Sequence, residues 1–67
     1  MLLNLKYVRQ LMEEKGWSVR ELARRADISY ATVSRVLNNK RGAGARTLAG
    51  MRKAFPNEPT DKLFFLD

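Results

Sequence analysis

The stretch from Ser18 to Asn39, SVRELARRADISYATVSRVLNN, constrains the fold of this chain more than any other part. Ser18 is a favourable N-cap residue, and Glu21 three positions later completes the sequence signature of a capping box. Trp17 and Leu22 stand at the N′ and N4 positions, where a hydrophobic staple forms, and we expect Trp17 in the core. These signals predict a short helix that begins directly after Ser18.

A tight turn and a second helix follow in the same stretch. Asp27-Ile28-Ser29 interrupts the apolar pattern, and Ser29 can cap the second helix. The back of that helix is apolar, with Val33, Val36 and Leu37. Its front carries Tyr30, Ala31, Ser34, Arg35 and Asn38. Such a front suits insertion into the major groove of DNA, so we predict a helix-turn-helix with residues 30–38 as the recognition helix.

Composition narrows the function classes. Thirteen Lys and Arg against seven Asp and Glu give a net charge of +6, which predicts attraction to polyanions, although the same charge also serves solubility. The absence of cysteine and histidine removes disulfides, thiolates and the commonest general base and metal ligand. We therefore expect no enzyme, no catalytic residue, no cofactor and no metal. We also expect no small-molecule ligand.

The length of 67 residues predicts one domain, residues 1–67. The apolar start MLLNL is too short, and lacks the leading charge, for a signal peptide. No apolar run approaches the ~20 residues of a membrane span. We expect a soluble, cytoplasmic protein.

Three further helices complete a predicted all-α fold without strands. The first runs over Leu3–Lys15, or begins after Asn4 if that residue is its cap, and Gly16 ends it. The fourth begins near residue 45 or 46 and runs to about residue 55, and Gly50 inside it indicates a close neighbour.

The fifth helix is predicted over residues 60–66, with Thr60 as its cap. Phe64 and Phe65 are adjacent, so on a helix both rings cannot easily face the core. An exposed ring would mark a surface for self-association. We therefore predict dimerisation through Phe64, Phe65 and Leu66.

From Leu5 to Arg41 the pattern LKYVRQLMEEKGWS-xx-ELA-xxADIS-xx-TVSRVLNNKR resembles the Cro and lambda-repressor-like regulators. The resemblance implies a five-helix lambda-repressor-like DNA-binding domain. It implies a transcriptional regulator, in particular a repressor that occludes a double-stranded operator as a homodimer. The rival reading is a protein-interaction module on this fold, such as an antitoxin or an anti-regulator.

The segment ISYATVSRVLNN is similar to the recognition helix of Lac-repressor-type regulators. This likeness implies base contacts by Tyr30, Ala31 and Arg35, with Ser34 and Asn38 at the DNA interface. We count Ser34 among the base readers. The alternatives are a solvated Arg35 and a Tyr30 that packs on the preceding helix.

Further polar residues are expected at the DNA backbone, where cations and helix N-termini meet phosphates. They are Ser18, Arg20, Arg24, Ser29, Thr32, Asn38, Lys40, Arg41 and Arg46. Solvation and compensation of a helix dipole are the alternatives for Lys40 and Arg41, and dipole compensation also accounts for Arg24.

Three positions depart from the Cro-like pattern. Val19 stands where such proteins often carry a DNA-contacting Gln. Asp27 stands where they often carry Gly, and it can still adopt the left-handed conformation at some cost. Many members pair an Arg of the first helix with a Glu at the end of the third, and the matching residues here are Met12 and Leu37. We expect an apolar contact in place of that ion pair.

Overall fold

The computed structural model describes residues 2–38 and 42–65, and in this part of the chain five helices lie between two very short strands. In chain order the elements are strand β1 (Leu2–Leu3), helices α1 (Leu5–Lys15), α2 (Val19–Ala26), α3 (Tyr30–Leu37), α4 (Ala45–Ala54) and α5 (Thr60–Leu63), and strand β2 (Phe64–Phe65). The predicted five-helix all-α fold is therefore confirmed, with the strands as an addition.

Helix α1 begins one residue after its cap. The Asn4 side-chain oxygen accepts a hydrogen bond from the Tyr7 amide at 3.2 Å, which satisfies one of the free amides of the first turn. This confirms the alternative start, and Leu3 belongs to β1 instead of the helix. Gly16 ends α1 in the left-handed conformation with φ 68°.

Helix α2 begins at a serine cap, as predicted. The Ser18 hydroxyl accepts from the Glu21 amide at 3.1 Å. The reciprocal half of the capping box does not form, because the Glu21 carboxylate bonds Arg24 and Arg25 instead. At the other end Asp27 adopts φ 57°, so this residue takes the left-handed position expected of it.

The C-terminal segment differs from the prediction. Helix α5 ends at Leu63 and follows Pro59, which occupies the N-cap position instead of Thr60. Phe64 and Phe65 pair in antiparallel fashion with Leu3 and Leu2. The predictions of a helix to residue 66 and of no strands were wrong, because backbone partners at the other end of the chain and the strand preference of aromatic residues favour an extended end.

The buried core draws on every helix. Its fully buried large side chains are Phe55, Leu22, Met51, Leu63, Val8 and Val33. Trp17 was expected in the core but is only half-buried, with its ring stacked on Phe55 at 5.2 Å between centroids. Helix α2 packs against both α3 and α4, so the turn between α2 and α3 is fixed from two sides.

Candidate nucleic-acid interface

Helix α3 turns its polar front away from the core. Val33, Val36 and Leu37 are all buried on its back. On its front four residues are exposed and Ser34 is half-buried; the exposed ones are Tyr30, Ala31, Arg35 and Asn38. The residues that the sequence assigns to DNA reading are therefore together on one accessible helix face.

Both ends of α3 are held by specific hydrogen bonds. At the start, the Ser29 hydroxyl accepts from the Thr32 amide at 3.2 Å and donates to the Thr32 hydroxyl at 2.8 Å. At the end, Arg9 of α1 donates to the carbonyl oxygen of Leu37. A helix with apolar backing and fixed ends is a rigid platform, which base reading requires.

The arginines of α2 have different surroundings. The Arg24 Nη2 atom lies 2.6 Å from a carboxylate oxygen of Glu21, and the Arg25 Nε atom lies 2.6 Å from the same oxygen. Hydrogen bonds lower the pKa of Glu21, with the larger effect from Arg24 and the smaller from Arg25. The hydrogen bond to Glu21 in turn raises the pKa of Arg24. The guanidinium of Arg25 also covers Trp17, 4.3 Å from the ring centroid.

Arg20 lies on the first turn of α2 and contacts the recognition helix. Its guanidinium carbon is 4.8 Å from the centroid of the Tyr30 ring. Tyr30 is still 47% exposed. The ring therefore packs against a residue of the preceding helix, as one of the two alternatives predicted, and it remains accessible.

A groove separates the start of α3 from the start of α4. Its lining includes Ser29, Thr32 and Arg46, and its volume is about 420 Å³. Helix α4 begins after Gly44, which has no side chain to cap it, and neither helix has an acidic residue in its first turn. Two helix N-termini therefore border the same groove, and the carboxylate of Asp27, which lies 3.7 Å from Lys53 Nζ, also lines it.

Four residues with a predicted role lie outside the described residues. The sequence favours Asn39 as a left-handed residue after α3, Lys40 and Arg41 at phosphates, and Leu66 at a dimer contact.

The ion pairs of Glu21 and the hydrogen bond between Arg9 and Leu37 were not predicted from the sequence. The spacing of Glu21 to Arg24 and Arg25 is a sequence signal for ion pairs on a helix. The contact of Arg9 with Leu37 joins residues 28 apart and has no such signal.

Two helices joined by a left-handed turn, the second with an accessible polar front, define a helix-turn-helix domain. Comparison with protein families matches residues 8–63 to the family described as helix-turn-helix, so the chain belongs to the Cro/lambda-repressor-like helix-turn-helix family. It is a DNA-binding regulator of the Cro/C1 type, and this family is one of DNA-binding domains, not of enzymes.

No curated protein and no solved structure matched the chain. Within residues 2–38 and 42–65, none of the helices combines the length and the apolar character that crossing a bilayer requires.

Proposed function

We propose that the protein is a repressor that occupies a double-stranded operator as a homodimer and so excludes the transcription machinery. In this mechanism α3 lies in the major groove and α2 crosses the backbone. The observation that carries the proposal is the front of α3, which is accessible, free of carboxylates and backed by buried aliphatic residues. In a bacterial host such an operator lies in the cytoplasm.

Base reading falls to the front of α3. Arg35 has the forked donor that matches O6 and N7 of guanine, and the Ala31 methyl group can contact a thymine methyl. Tyr30 and Ser34 carry hydroxyl groups that can donate to or accept from base edges. The exposure of Arg35 supports its assignment, because no carboxylate in the described part of the chain competes for its guanidinium.

Backbone contact falls to the helix starts and their cations. The groove between α3 and α4 supports contacts by Ser29, Thr32 and Arg46, because two positive helix ends and a cation favour a phosphate there, while the Asp27 carboxylate in its lining is paired with Lys53. Ser18 and Arg20 at the start of α2, Arg24 beside them, and Asn38 at the end of α3 extend this track. Lys40 and Arg41 continue it by sequence position.

A homodimer would form on the apolar surface at β1 and β2. Leu2 and Phe65 pair across the two strands and are 63% and 54% exposed. Beside them is a cavity of about 200 Å³ whose lining residues carry no charge: Leu2, Leu3, Leu5, Val36, Gly42, Ala43 and Phe65. Each copy has a net charge of +6, so two copies repel each other. An uncharged surface brings no like charges into contact, which favours this surface over the charged ones for a second copy.

Selection of bound duplexes from random DNA tests the reading function directly. The selected duplex and a scrambled one are then titrated over a series of salt concentrations. If each subunit neutralises ~4 phosphates, the log–log slope for a dimer is about −7. Binding that does not distinguish the two duplexes, or a slope shallower than about −2, contradicts the proposal.

Phe65→Lys tests the dimer. Phe64 is buried and Phe65 is exposed, so a charge at residue 65 leaves the core intact. We expect a weaker dimer and weaker operator binding, with the same thermal unfolding at protein concentrations where both proteins are monomeric. Asn57→Lys adds the same charge at an exposed loop residue and serves as the control. Sedimentation that finds only monomers of the unmodified protein, free and on DNA, excludes the dimer.

A further inference from the structure

Arg20 lies at a position where it does not stabilise its own helix. Arg20 is the second residue of α2, and a cation in the first turn opposes the helix dipole. The nearby carboxylate of Glu21 is engaged by Arg24 and Arg25. Within the described residues, the contact found for the Arg20 guanidinium is the ring of Tyr30. The residue therefore points to a function beyond α2.

Without a neighbouring side chain, the exposed ring of Tyr30 would be free to change its rotamer. Tyr30 is the first residue of α3, and 47% of its surface is exposed. Among the described residues no hydrogen bond to its hydroxyl group is formed, so that group is available to a ligand. A cation over one ring face favours the side-chain rotamer that keeps the stack.

We propose that Arg20 is a positioning residue, which holds the Tyr30 ring in the orientation that reads a base. This inference rests on the proposed DNA-binding function and changes the assignment of Arg20 within it. A stacked guanidinium keeps its N–H donors at its edge, so Arg20 can still reach a phosphate. Its effect on base preference, however, passes through Tyr30.

The two roles predict different binding patterns. Substitution of an arginine that only neutralises phosphate lowers affinity for all duplexes by one factor. Substitution of a positioning arginine lowers discrimination at the same base pairs as substitution of Tyr30. An exposed cation–π contact corresponds to about a 2- to 5-fold change in an equilibrium constant, and a desolvated one to about thirty-fold.

The binding test is a double-mutant cycle with Arg20→Met and Tyr30→Ala. Each variant is titrated on the selected duplex and on its single-base-pair variants. We expect Arg20→Met to flatten the preference at the base pairs that Tyr30→Ala flattens, by about 2- to 5-fold or more. In the Tyr30→Ala background, Arg20→Met should have no further effect on preference.

Lys6→Met is the matched control. Lys6 is the exposed second residue of α1, so this substitution removes one positive charge from the equivalent position of another helix. It should leave the base preference unchanged. If Arg20→Met lowers affinity for every duplex by the same factor, Arg20 only holds phosphate and the inference is overturned.

A measurement on the free protein separates this inference from the proposed function. The Tyr30 ring current should shift the side-chain proton resonances of Arg20 upfield. The shift should persist in Tyr30→Phe and disappear in Tyr30→Ala. Without it the stack does not exist, and the inference fails even if the protein reads DNA. If the shift is present but no duplex is preferred, the proposed function fails and the inference falls with it.

Discussion

Arg9 of α1 donates a hydrogen bond to the carbonyl oxygen of Leu37, the last residue of α3. A cation at this end compensates the negative pole of the recognition helix and satisfies one of its free carbonyls. The resemblance to Cro-like proteins implies an ion pair between the same two helices, but Met12 and Leu37 at the matching positions are both buried and apolar. In this chain the polar contact between α1 and α3 is therefore made by the Arg9 side chain to a backbone carbonyl, and not by an ion pair of two side chains.

The burial of Leu37 leads to a stability prediction. Leu37→Glu places a carboxylate where 4% of the residue is exposed, and this should lower the free energy of unfolding by ~3 kcal/mol or more. Adding Met12→Arg should restore a good part of the loss by supplying the counter-charge. Denaturant unfolding followed by the fluorescence of Trp17 measures both.

The Arg9 guanidinium could itself reach a carboxylate at residue 37. The series is therefore repeated with Arg9→Met, which removes that neighbour. Recovery by Met12→Arg in this background shows that side chains at residues 12 and 37 meet. A double variant no more stable than Leu37→Glu alone shows that they do not.

The helix-turn-helix could be predicted because its signals are local. Asn4, Ser18 and Ser29 each accept a hydrogen bond from the amide three residues later, so a short sequence window contains both partners. The apolar back of α3 is likewise a pattern within eight residues. The left-handed Asp27 was expected from the glycine that Cro-like proteins often carry at this position, and not from the apolar pattern of α2.

The remaining contacts depend on distant parts of the chain. The pairing of Leu2 with Phe65 is set by where α1 and α5 bring the two ends of the chain. Each strand has only two residues, which is too short to show the alternating pattern that predicts a strand. The stack of Arg20 on Tyr30 depends on the angle between α2 and α3. Sequence periodicity contains no information on that angle. The sequence therefore predicted the front of α3 and offered packing of Tyr30 on α2 as an alternative, but it did not identify Arg20 as the partner.

Gly50 lies where α4 approaches the turn between α2 and α3, which explains the glycine noted in the sequence. A Cβ atom there would lie 2.5 Å from Ile28 Cδ1 and 2.7 Å from the Ala26 carbonyl oxygen. Alanine gains ~1 kcal/mol in helix propensity, but overpacking against a backbone oxygen costs about 1–3 kcal/mol. We expect Gly50→Ala to lower the melting temperature.

Gly42→Ala is the control for Gly50→Ala, because nothing lies within 4 Å of the Cβ position at residue 42. It should leave the melting temperature nearly unchanged. An unchanged or higher melting temperature for Gly50→Ala would mean that α4 stands further from the turn than the structure has it.

Tyr7 links α1 to the loop before α5 through a hydrogen bond from its hydroxyl to the Glu58 carboxylate. This bond, followed by burial, raises the pKa of Tyr7 above its usual value of about 10. The contribution to stability is then fully present below pH ~10 and is lost as the pH rises through the raised pKa. Tyr7→Phe should be less stable at neutral pH and should lose less stability in alkali.

Urea midpoints measured between pH 7 and 11 test this prediction. Tyr30→Phe is the control, since Tyr30 is the second of the two tyrosines and no hydrogen bond from its hydroxyl is found in the described chain. Its alkaline profile should follow that of the unmodified protein. Parallel profiles for Tyr7→Phe and the unmodified protein would exclude the bond to Glu58.

The last prediction separates reading a base from holding the backbone. Arg35 is exposed on the front of α3, and a bidentate contact with guanine contributes ~1–3 kcal/mol of discrimination. Arg35→Ala should therefore lower operator affinity and flatten preference at one base pair per half-site, with little change on random DNA. Lys40→Ala combined with Arg41→Ala should weaken binding to the operator and to random DNA by a similar factor. It should also reduce the slope of log affinity against log salt concentration by ~1 per lost contact. Matched titrations on operator and scrambled duplex measure this. If Arg35→Ala lowers both equally, Arg35 holds phosphate, and base reading falls to Tyr30, Ala31 and Ser34.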